Sequence, residues 1–190
     1  KKDGSVVTWG NSTTGGDSSS VASQLTSDIK KIYSNENSYA ALKADGSVIT
    51  WGSSDGIGRG GGDSSSVASQ LTSGVNQIFS TGNAYAALKD DGSVVTWGGW
   101  WEGGGNSSSV TAQLSRGVIS ISSTTGFYQW ETAFAALKTD GSVVTWGTST
   151  YGGDSSSVAS KLTSGVKKIF TTSSAFAALK TDGSVVVWGK

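Results

Sequence analysis

Cysteine, histidine, methionine and proline are all missing from this chain of 190 residues. Without cysteine there is no disulfide framework, no thiolate nucleophile and no thiolate metal site. Without histidine the chain lacks the commonest general base and the commonest ligand of transition metals. The sequence therefore predicts a protein that is not an enzyme and that carries neither a metal ion nor another cofactor.

An excess of charge is missing too, because 14 basic side chains balance 14 acidic ones. A neutral chain has no long-range field that would attract nucleic acid or an anionic membrane surface. No apolar run approaches the roughly 18 residues that a membrane-spanning helix needs. We therefore expect no nucleic-acid partner and no insertion into a membrane.

The sequence starts inside a repeated motif and shows no methionine and no secretory signal. This start predicts a piece excised from a longer protein, the alternative being that a start residue is simply not shown. The abundance of serine, threonine and glycine, together with the lack of cysteine, is compatible with an extracellular or cell-surface location. That location is an expectation from composition.

One octapeptide, Asp-Gly-Ser-Val-Val-Thr-Trp-Gly, occurs five times with small changes. The copies are 42, 46, 49 and 42 residues apart and start at Asp3, Asp45, Asp91, Asp140 and Asp182. A fixed period of this length is typical of propeller blades and exceeds that of leucine-rich or ankyrin repeats. The spacing predicts a tandem array of similar β-sheet units.

The clearest unit predicts three short strands, over 166–170, 175–180 and 185–188. The dipeptide Asp182-Gly183 between the last two strands indicates a two-residue hairpin turn. Such a turn would place Leu179 opposite Val186, and Ala177 opposite Trp188. Both faces of the resulting sheet are mostly apolar, so each sheet should be sandwiched between neighbours.

The predicted fold class is therefore all-β, with tandem β-propeller-type blades built as antiparallel meanders. The 190 residues form a single repeat domain with four units, approximately 11–52, 53–98, 99–147 and 148–190. Residues 1–10 would be the last strand of a preceding unit. Four units and an orphan strand fit a closed ring poorly, which favours a propeller that is open or completed by oligomerisation.

The unit from Gly165 to Gly189 resembles the regulator of chromosome condensation repeat. The resemblance rests on a Val-x-x-Ile strand, an Ala-Leu strand, an Asp-Gly turn and a strand that ends in Trp-Gly. The family implies seven-bladed propellers that act as nucleotide-exchange factors, chromatin binders or protein inhibitors. In style the chain is similar to bacterial repeat arrays of large surface or secreted proteins and to a propeller-type β-lactamase inhibitor.

This chain departs from the family pattern in three ways. Gly-Gly-Asp-Ser-Ser-Ser replaces the usual Gly-Gln-Leu-Gly after Trp-Gly, proline is missing, and only four units are present. The first departure weakens any transfer of exchange-factor activity to this chain. The last one puts ring closure in doubt.

Two loops differ between the internal copies, whereas the strands barely change. In an up-down-up meander, both variable loops emerge at one edge of the sheet and the Asp-Gly turns at the other. The insertions around the third unit are rich in aromatic residues, which supply rigid contact area for partners. They predict a ligand-binding rim for a protein or glycan, made of Trp100, Trp101, Glu102, Phe127, Tyr128, Gln129, Trp130 and Glu131.

Other interpretations of these residues stay open. Ser122 stands where the other units have an aromatic residue, so Phe127 or Trp130 could fold back and fill that place. Glu102 and Glu131 could be imagined as a carboxylate pair for glycoside hydrolysis, but nothing fixes their separation. The aspartates of the Gly-Gly-Asp motifs favour helix capping over metal binding, and they are Asp17, Asp63 and Asp154.

Three hypotheses for function follow. The first is a noncatalytic recognition or adhesion module in a repetitive extracellular or surface protein. The second is a structural segment that self-associates end to end into rings or filaments. The third is a protein inhibitor, which is a special case of recognition.

Overall fold

A computed structural model describes residues 1–54, 60–99, 104–126, 128 and 131–190. In these residues the chain forms four antiparallel three-stranded sheets, each with its strands in sequence order. The predicted all-β, propeller-type fold class is therefore confirmed. Sheet 1 contains β1 (Ile29–Ser34), β2 (Ser38–Lys43) and β3 (Val48–Gly52); sheet 2 contains β4 (Val75–Ser80), β5 (Ala84–Lys89) and β6 (Val94–Gly98); sheet 3 contains β7 (Val118–Ser123), β8 (Ala133–Lys138) and β9 (Val143–Gly147); and sheet 4 contains β10 (Val166–Thr171), β11 (Ala175–Lys180) and β12 (Val185–Gly189).

The described helices are short 3-10 helices in the segments that lead to each sheet. An aspartate or asparagine side chain accepts a hydrogen bond from the backbone two residues later, as Asp154 does from Ser156 at 2.8 Å. Each longer helix is followed by a leucine that is 2% exposed, for example Leu162. The helices span Ser12–Thr14, Ser19–Gln24, Ser65–Gln70, Ser108–Val110, Ser149–Tyr151 and Ser156–Lys161. No helix in the described ranges combines the length and apolarity needed to span a bilayer.

The Asp-Gly hairpins differ from the prediction by one residue of register. In sheet 4, Leu179 pairs with Val185, and Phe176 pairs with Trp188. The loop has three residues rather than two, because the Lys180 N–H donates to Ser184 O and the Gly183 N–H donates to Lys180 O. Gly183 takes a left-handed φ of 86°, which is the three-residue loop with a glycine bulge. The predicted pairs of Leu179 with Val186 and of Ala177 with Trp188 are therefore wrong.

This register puts the large side chains of each sheet on one face. The face that points to the preceding sheet carries Phe176, Ala178, Val186 and Trp188 in sheet 4, and the rings of Phe176 and Trp188 stack at 5.3 Å. The opposite face of the second and third strands carries alanines and other aliphatic side chains. In the interface between sheets 3 and 4, this face of sheet 3 supplies Ala133, Ala135 and Leu137. Sheets 2, 3 and 4 thus each pack their aromatic face against the alanines of the sheet before them.

One glycine of each Gly-Gly pair completes this aromatic stack. The Trp188 indole N–H donates to Gly152 O at 3.1 Å. A methyl group on Gly152 would lie 2.5 Å from the Phe176 ring. The same contact recurs in sheets 1 to 3, so the tryptophans of the octapeptide are core residues wherever a complete sheet surrounds them; they are Trp51, Trp97, Trp146 and Trp188.

Residues 5–10, called the orphan segment below, occupy the position of a last strand but pair with no other strand. The Val6 N–H donates to Leu25 O at 3.0 Å, as the Val48 N–H donates to Leu71 O in the next repeat. The segment predicted as a strand is thus held in place by this hydrogen bond and by the packing of Val6 against the core cluster of sheet 1. Trp9 is 83% exposed because no aromatic strand lies beside it.

Every first strand of a sheet contains a bulge. The register shifts by one residue near its start, leaving Lys30, Asn76, Ile119 and Lys167 without a cross-strand partner. A bulge at a sheet edge interrupts the row of hydrogen-bonding groups that another strand would need.

Candidate functional site

The described ends of the two loops of sheet 3 lie together at one edge of the sheet, as the meander predicted. In sheet 3, the Thr148 N–H after β9 donates to Thr132 O before β8, at 2.9 Å. The Asp-Gly turns lie at the opposite edge, where the Gly141 carbonyl accepts from the Val166 N–H at 2.9 Å. The loop that follows β6, the loop between β7 and β8, and Tyr151 in the loop after β9 are together called the third-sheet rim below.

Of the eight residues predicted for this rim, the structure describes Tyr128 and Glu131. Both lie in the loop between β7 and β8. The Tyr128 side chain is 51% exposed. The other six predicted residues, and the hypothesis that an aromatic side chain fills the place beside Ser122, lie outside the described residues: Trp100, Trp101, Glu102, Phe127, Gln129 and Trp130.

Glu131 is hydrogen-bonded to Tyr128 through both its backbone and its side chain. Its backbone N–H donates to Tyr128 O at 2.9 Å. Its side-chain Oε2 accepts from the Tyr128 N–H at 3.3 Å. At least one oxygen of this carboxylate therefore has a structural task, which weakens its interpretation as half of a hydrolytic pair with Glu102.

Tyr151 is a rim residue that the sequence prediction missed. A hydrogen bond to the Glu131 carboxylate raises the pKa of the Tyr151 hydroxyl, and burial adds to the effect. The Lys190 Nζ atom lies 5.4 Å from the centroid of the Tyr151 ring. One sequence signal could have identified Tyr151. The loops after the first and fourth octapeptides have the same length, and the first carries Thr14 where the fourth carries the aromatic Tyr151.

The Thr124 hydroxyl fastens the base of the rim to the sheet. Thr124 and Thr132 are both fully buried. The Ala133 N–H donates to Thr124 Oγ1 at 2.8 Å. The Gly126 N–H donates to Ser173 O in the adjacent loop of sheet 4, at 2.7 Å. Hydrogen bonds therefore hold the described part of the rim against sheets 3 and 4, and the Tyr128 side chain is exposed there.

The aspartates of the Gly-Gly-Asp motifs are not the predicted N-caps, because they lie one residue before the N-cap serines of the 3-10 helices and close turns there. Asp17, Asp63 and Asp154 each accept a backbone hydrogen bond from the serine two residues later, and this bond lowers the pKa of each carboxyl. Asn106 accepts the same bond from Ser108, at 2.9 Å. Among the residues that the structure describes, no group of three or more acidic side chains is placed to hold a metal ion.

Solved structures with the same fold come from proteins named after or related to RCC1. A complex of Kap60 with yeast RCC1 (Prp20) matches with a TM-score of 0.53 and 17% identity over 85% of this chain and 43% of that one. Human WBSCR16 matches with a TM-score of 0.51 and 20% identity over 85% and 48%. Prp20p of Saccharomyces cerevisiae, described with its binding to Gsp1p and histones, gives 0.51 and 20% over 85% and 44%.

The chain spans less than half the length of these matched structures. No protein-family model and no curated protein matches the sequence. The shared feature is the stack of antiparallel sheets, reached here at low sequence identity. The chain therefore has the repeat fold of the regulator of chromosome condensation, RCC1.

Proposed function

We propose that this chain is a noncatalytic recognition module that binds a protein partner through the third-sheet rim. The observation that carries the proposal is the contrast between a nearly constant framework and this one elaborated edge. There, hydrogen bonds from Glu131 and Gly126 brace a loop whose Tyr128 side chain is half exposed. A rigid aromatic side chain on a braced loop loses little entropy when it is buried by a partner.

The fold supports a protein partner over other classes. Proteins of this fold include Prp20, which was solved with Kap60 bound and is described as binding Gsp1p and histones. Those partners belong to Prp20. For this chain we carry over only the use of a propeller-type scaffold to present loops to another protein.

We further propose that the module belongs to a repetitive extracellular or surface protein, where it mediates adhesion or inhibits the partner protein. Composition supports this setting, since the chain lacks cysteine and is rich in glycine, serine and threonine. A glycan partner is the alternative occupant of the same rim. An inhibition assay on the captured partner, if that partner is an enzyme, separates inhibition from adhesion.

The test is a comparison of rim variants in binding. The unmodified chain, immobilised, is used to capture partners, and each purified partner is then titrated by calorimetry. We expect Tyr128→Ala to weaken binding at least tenfold, because central aromatic contacts commonly carry about 2 kcal/mol or more. Trp100→Ala with Trp101→Ala should weaken it further while unfolding stays cooperative.

Thr139→Ala is the matched control, because Thr139 is exposed in the Asp-Gly turn at the opposite edge of the same sheet. This variant should bind like the unmodified chain. Equal binding by Tyr128→Ala and the unmodified chain would contradict the proposal. Binding of oligosaccharides but of no protein would replace the protein partner by a glycan.

A further inference from the structure

The two ends of the sheet stack expose apolar side chains that are less exposed at equivalent positions inside it. At the first end, Ile32 of β1 is 41% exposed, whereas Ile78 of β4 is 1% exposed. At the last end, Phe170 of β10 is 48% exposed and Val185 of β12 is 60% exposed. Each end is half of the interface that adjacent sheets form within the molecule.

The first end also contains a groove beside the orphan segment. It has a volume of about 280 Å³ and is lined by Trp9, Ile32, Tyr39 and Trp51, among others. In each interior interface, the equivalent place holds the first two strands of the preceding sheet. In sheet 2, for example, the strand β5 packs its Tyr85 and Ala87 against Ala40 and Leu42 of β2.

We propose that a second copy of this chain fills the groove with its sheet 4, so that copies join head to tail. Strands β10 and β11 of the second copy take the missing places next to the orphan segment. Phe170 of that copy then packs against sheet 1 in the way that Phe79 packs against sheet 3. The interface is continuous with the stack, because the molecule already contains three examples of it.

One strand has to move for this joint to form, because the orphan segment and β12 occupy equivalent positions. Residues 3–10 and 182–189 differ only at Thr8 and Val187. The orphan segment of one copy therefore replaces β12 of the other, and Trp9 stacks on Phe176 in place of Trp188. The exchange conserves the strand hydrogen bonds and the aromatic stack.

Thr8 favours the orphan segment over β12 at the shared position, because only the orphan segment has a hydroxyl group that faces Ser18. The Thr8 hydroxyl lies 2.9 Å from the Ser18 hydroxyl. The threonines at the same position of the first three sheets make the same contact with the serine that follows; the pairs are Thr50 with Ser64, Thr96 with Ser107 and Thr145 with Ser155. Val187 has no hydroxyl for this contact and is 61% exposed.

Light scattering on two complementary variants tests the joint. The unmodified chain should show a mass that rises with concentration in multiples of 19.3 kDa. Ile32→Glu disables the first end, and Phe170→Glu disables the last end, so each variant alone should stay monomeric. Refolded together, they retain one intact joint and should give a heterodimer of twice the chain mass.

Ile119→Glu is the control, because Ile119 is 54% exposed and lies at the bulge of β7 rather than at an end. It should associate like the unmodified chain. A monomer at every concentration of the unmodified chain would overturn the proposal. So would a mixture of the two end variants that remains monomeric, or equal loss of association in the control.

Hydrogen exchange identifies the strand that moves. On association, amides of residues 5–10 should gain protection, and amides of residues 185–189 should lose it. Association without loss of protection at 185–189 would overturn the strand replacement.

A gain-of-function variant tests the geometry from the other direction. In the joint, Ala175 of one copy lies next to Tyr39 of the other, as Ser38 lies next to Tyr85 within the chain. Ala175→Ser should therefore supply a hydroxyl to Tyr39 and tighten association about fivefold. Unchanged or weaker association would contradict this placement of the two chains.

Discussion

Tyr85 shows how one side chain connects two sheets. Its hydroxyl donates to Ser38 O at 2.8 Å and lies 3.3 Å from the Ser38 hydroxyl. Ser38 Oγ also accepts from the Gly61 N–H at 2.9 Å. Burial raises the pKa of Tyr85, so its hydroxyl stays protonated and remains a donor. In the next interface, Phe134 and Ala84 take the equivalent positions and belong to one core cluster, so a tyrosine faces serine in one interface and a phenylalanine faces alanine in the other.

This pairing predicts coupled effects on stability. Ser38→Ala and Tyr85→Phe should each lower the free energy of unfolding by about 1 to 2 kcal/mol. Ser38→Ala removes the acceptor of the Gly61 N–H, and Tyr85→Phe removes the donor to Ser38 O. The double variant recreates the alanine–phenylalanine pair, so its loss should be about 1 kcal/mol smaller than the sum. Urea unfolding of the four proteins measures this cycle. Additive losses would show that the two hydroxyls act independently.

The Ser38–Tyr85 contact also marks the limit of prediction from sequence. The two residues are 47 positions apart. Their proximity depends on which face of β5 points to the preceding sheet. A register error of one residue changes that face for the partner strand, and the two-residue turn assumed from Asp-Gly contained this error. Stacked sheets follow from apolar residues on both faces, but individual contacts require the correct loop length.

At the scale of the element, the Asp-Gly hairpins combine a three-residue loop with a side-chain clamp. The aspartate accepts from both the N–H and the hydroxyl of the serine two residues later, as Asp182 does from Ser184 at 2.9 and 2.6 Å. These bonds lower the pKa of each carboxyl; the residues are Asp45, Asp91, Asp140 and Asp182. Four repeats thus carry the same acid-sensitive turn.

The lowered pKa values predict a loss of stability in acid. A carboxylate with a lower pKa in the folded state stabilises the fold above its unfolded value of about 3.9. That stabilisation disappears as the pH falls from about 3.9 through the lower folded value. Changing all four aspartates to asparagine should flatten the pH dependence of the melting temperature below about pH 4. An unchanged slope in calorimetry would place the acid sensitivity elsewhere.

The glycine against the aromatic ring offers a second test at this scale. Gly152 has a φ of 96°, and Gly10 has a φ of 113°. An added methyl group meets Phe176 at Gly152 but meets nothing within 4 Å at Gly10. Both alanine variants carry the backbone cost of about 1 to 2 kcal/mol. Gly152→Ala should cost about 1 to 3 kcal/mol more because of the clash.

Chemical unfolding of both glycine variants measures this difference. The comparison isolates the ring contact, because the backbone cost is common to the two. Equal stability of Gly152→Ala and Gly10→Ala would mean that the aromatic stack moves aside without loss.

At the scale of the whole molecule, the chain is a row of sheets that contact their neighbours in sequence. In such an array, the effect of a substitution on the free energy of unfolding depends on whether the residue lies between two sheets or at an end. Ala135 of sheet 3 is fully buried against sheet 4. Ala177 is at the same position of sheet 4, where no further described sheet covers it, and it is half-buried.

A matched pair of substitutions tests this arrangement. Ala135→Leu should lower the free energy of unfolding by about 1 to 3 kcal/mol through overpacking. Ala177→Leu should change it by less than about 0.5 kcal/mol in the monomer, since the end face has room. Urea denaturation at low protein concentration is the measurement. A large loss in both variants would show that the last sheet is also covered in the monomer.

The third-sheet rim could be located from sequence, but its details could not. Differences between internal copies identified the loop that contains Tyr128 and Glu131. The contact of Glu131 with Tyr151 joins two loops whose lengths vary independently, so no period predicts it. Comparison of repeats therefore finds the loops that differ between units, whereas the hydrogen bonds between those loops depend on the three-dimensional arrangement.

The bulge in each first strand has a consequence for how such proteins can evolve. Near-identical repeats invite unequal recombination, which adds or deletes whole units. A flat sheet edge would make each new unit a template for lateral growth into fibrils. Because the bulge comes with the repeat, with lysines beside it in sheets 1 and 4, each duplicated unit already carries this protection on its first strand.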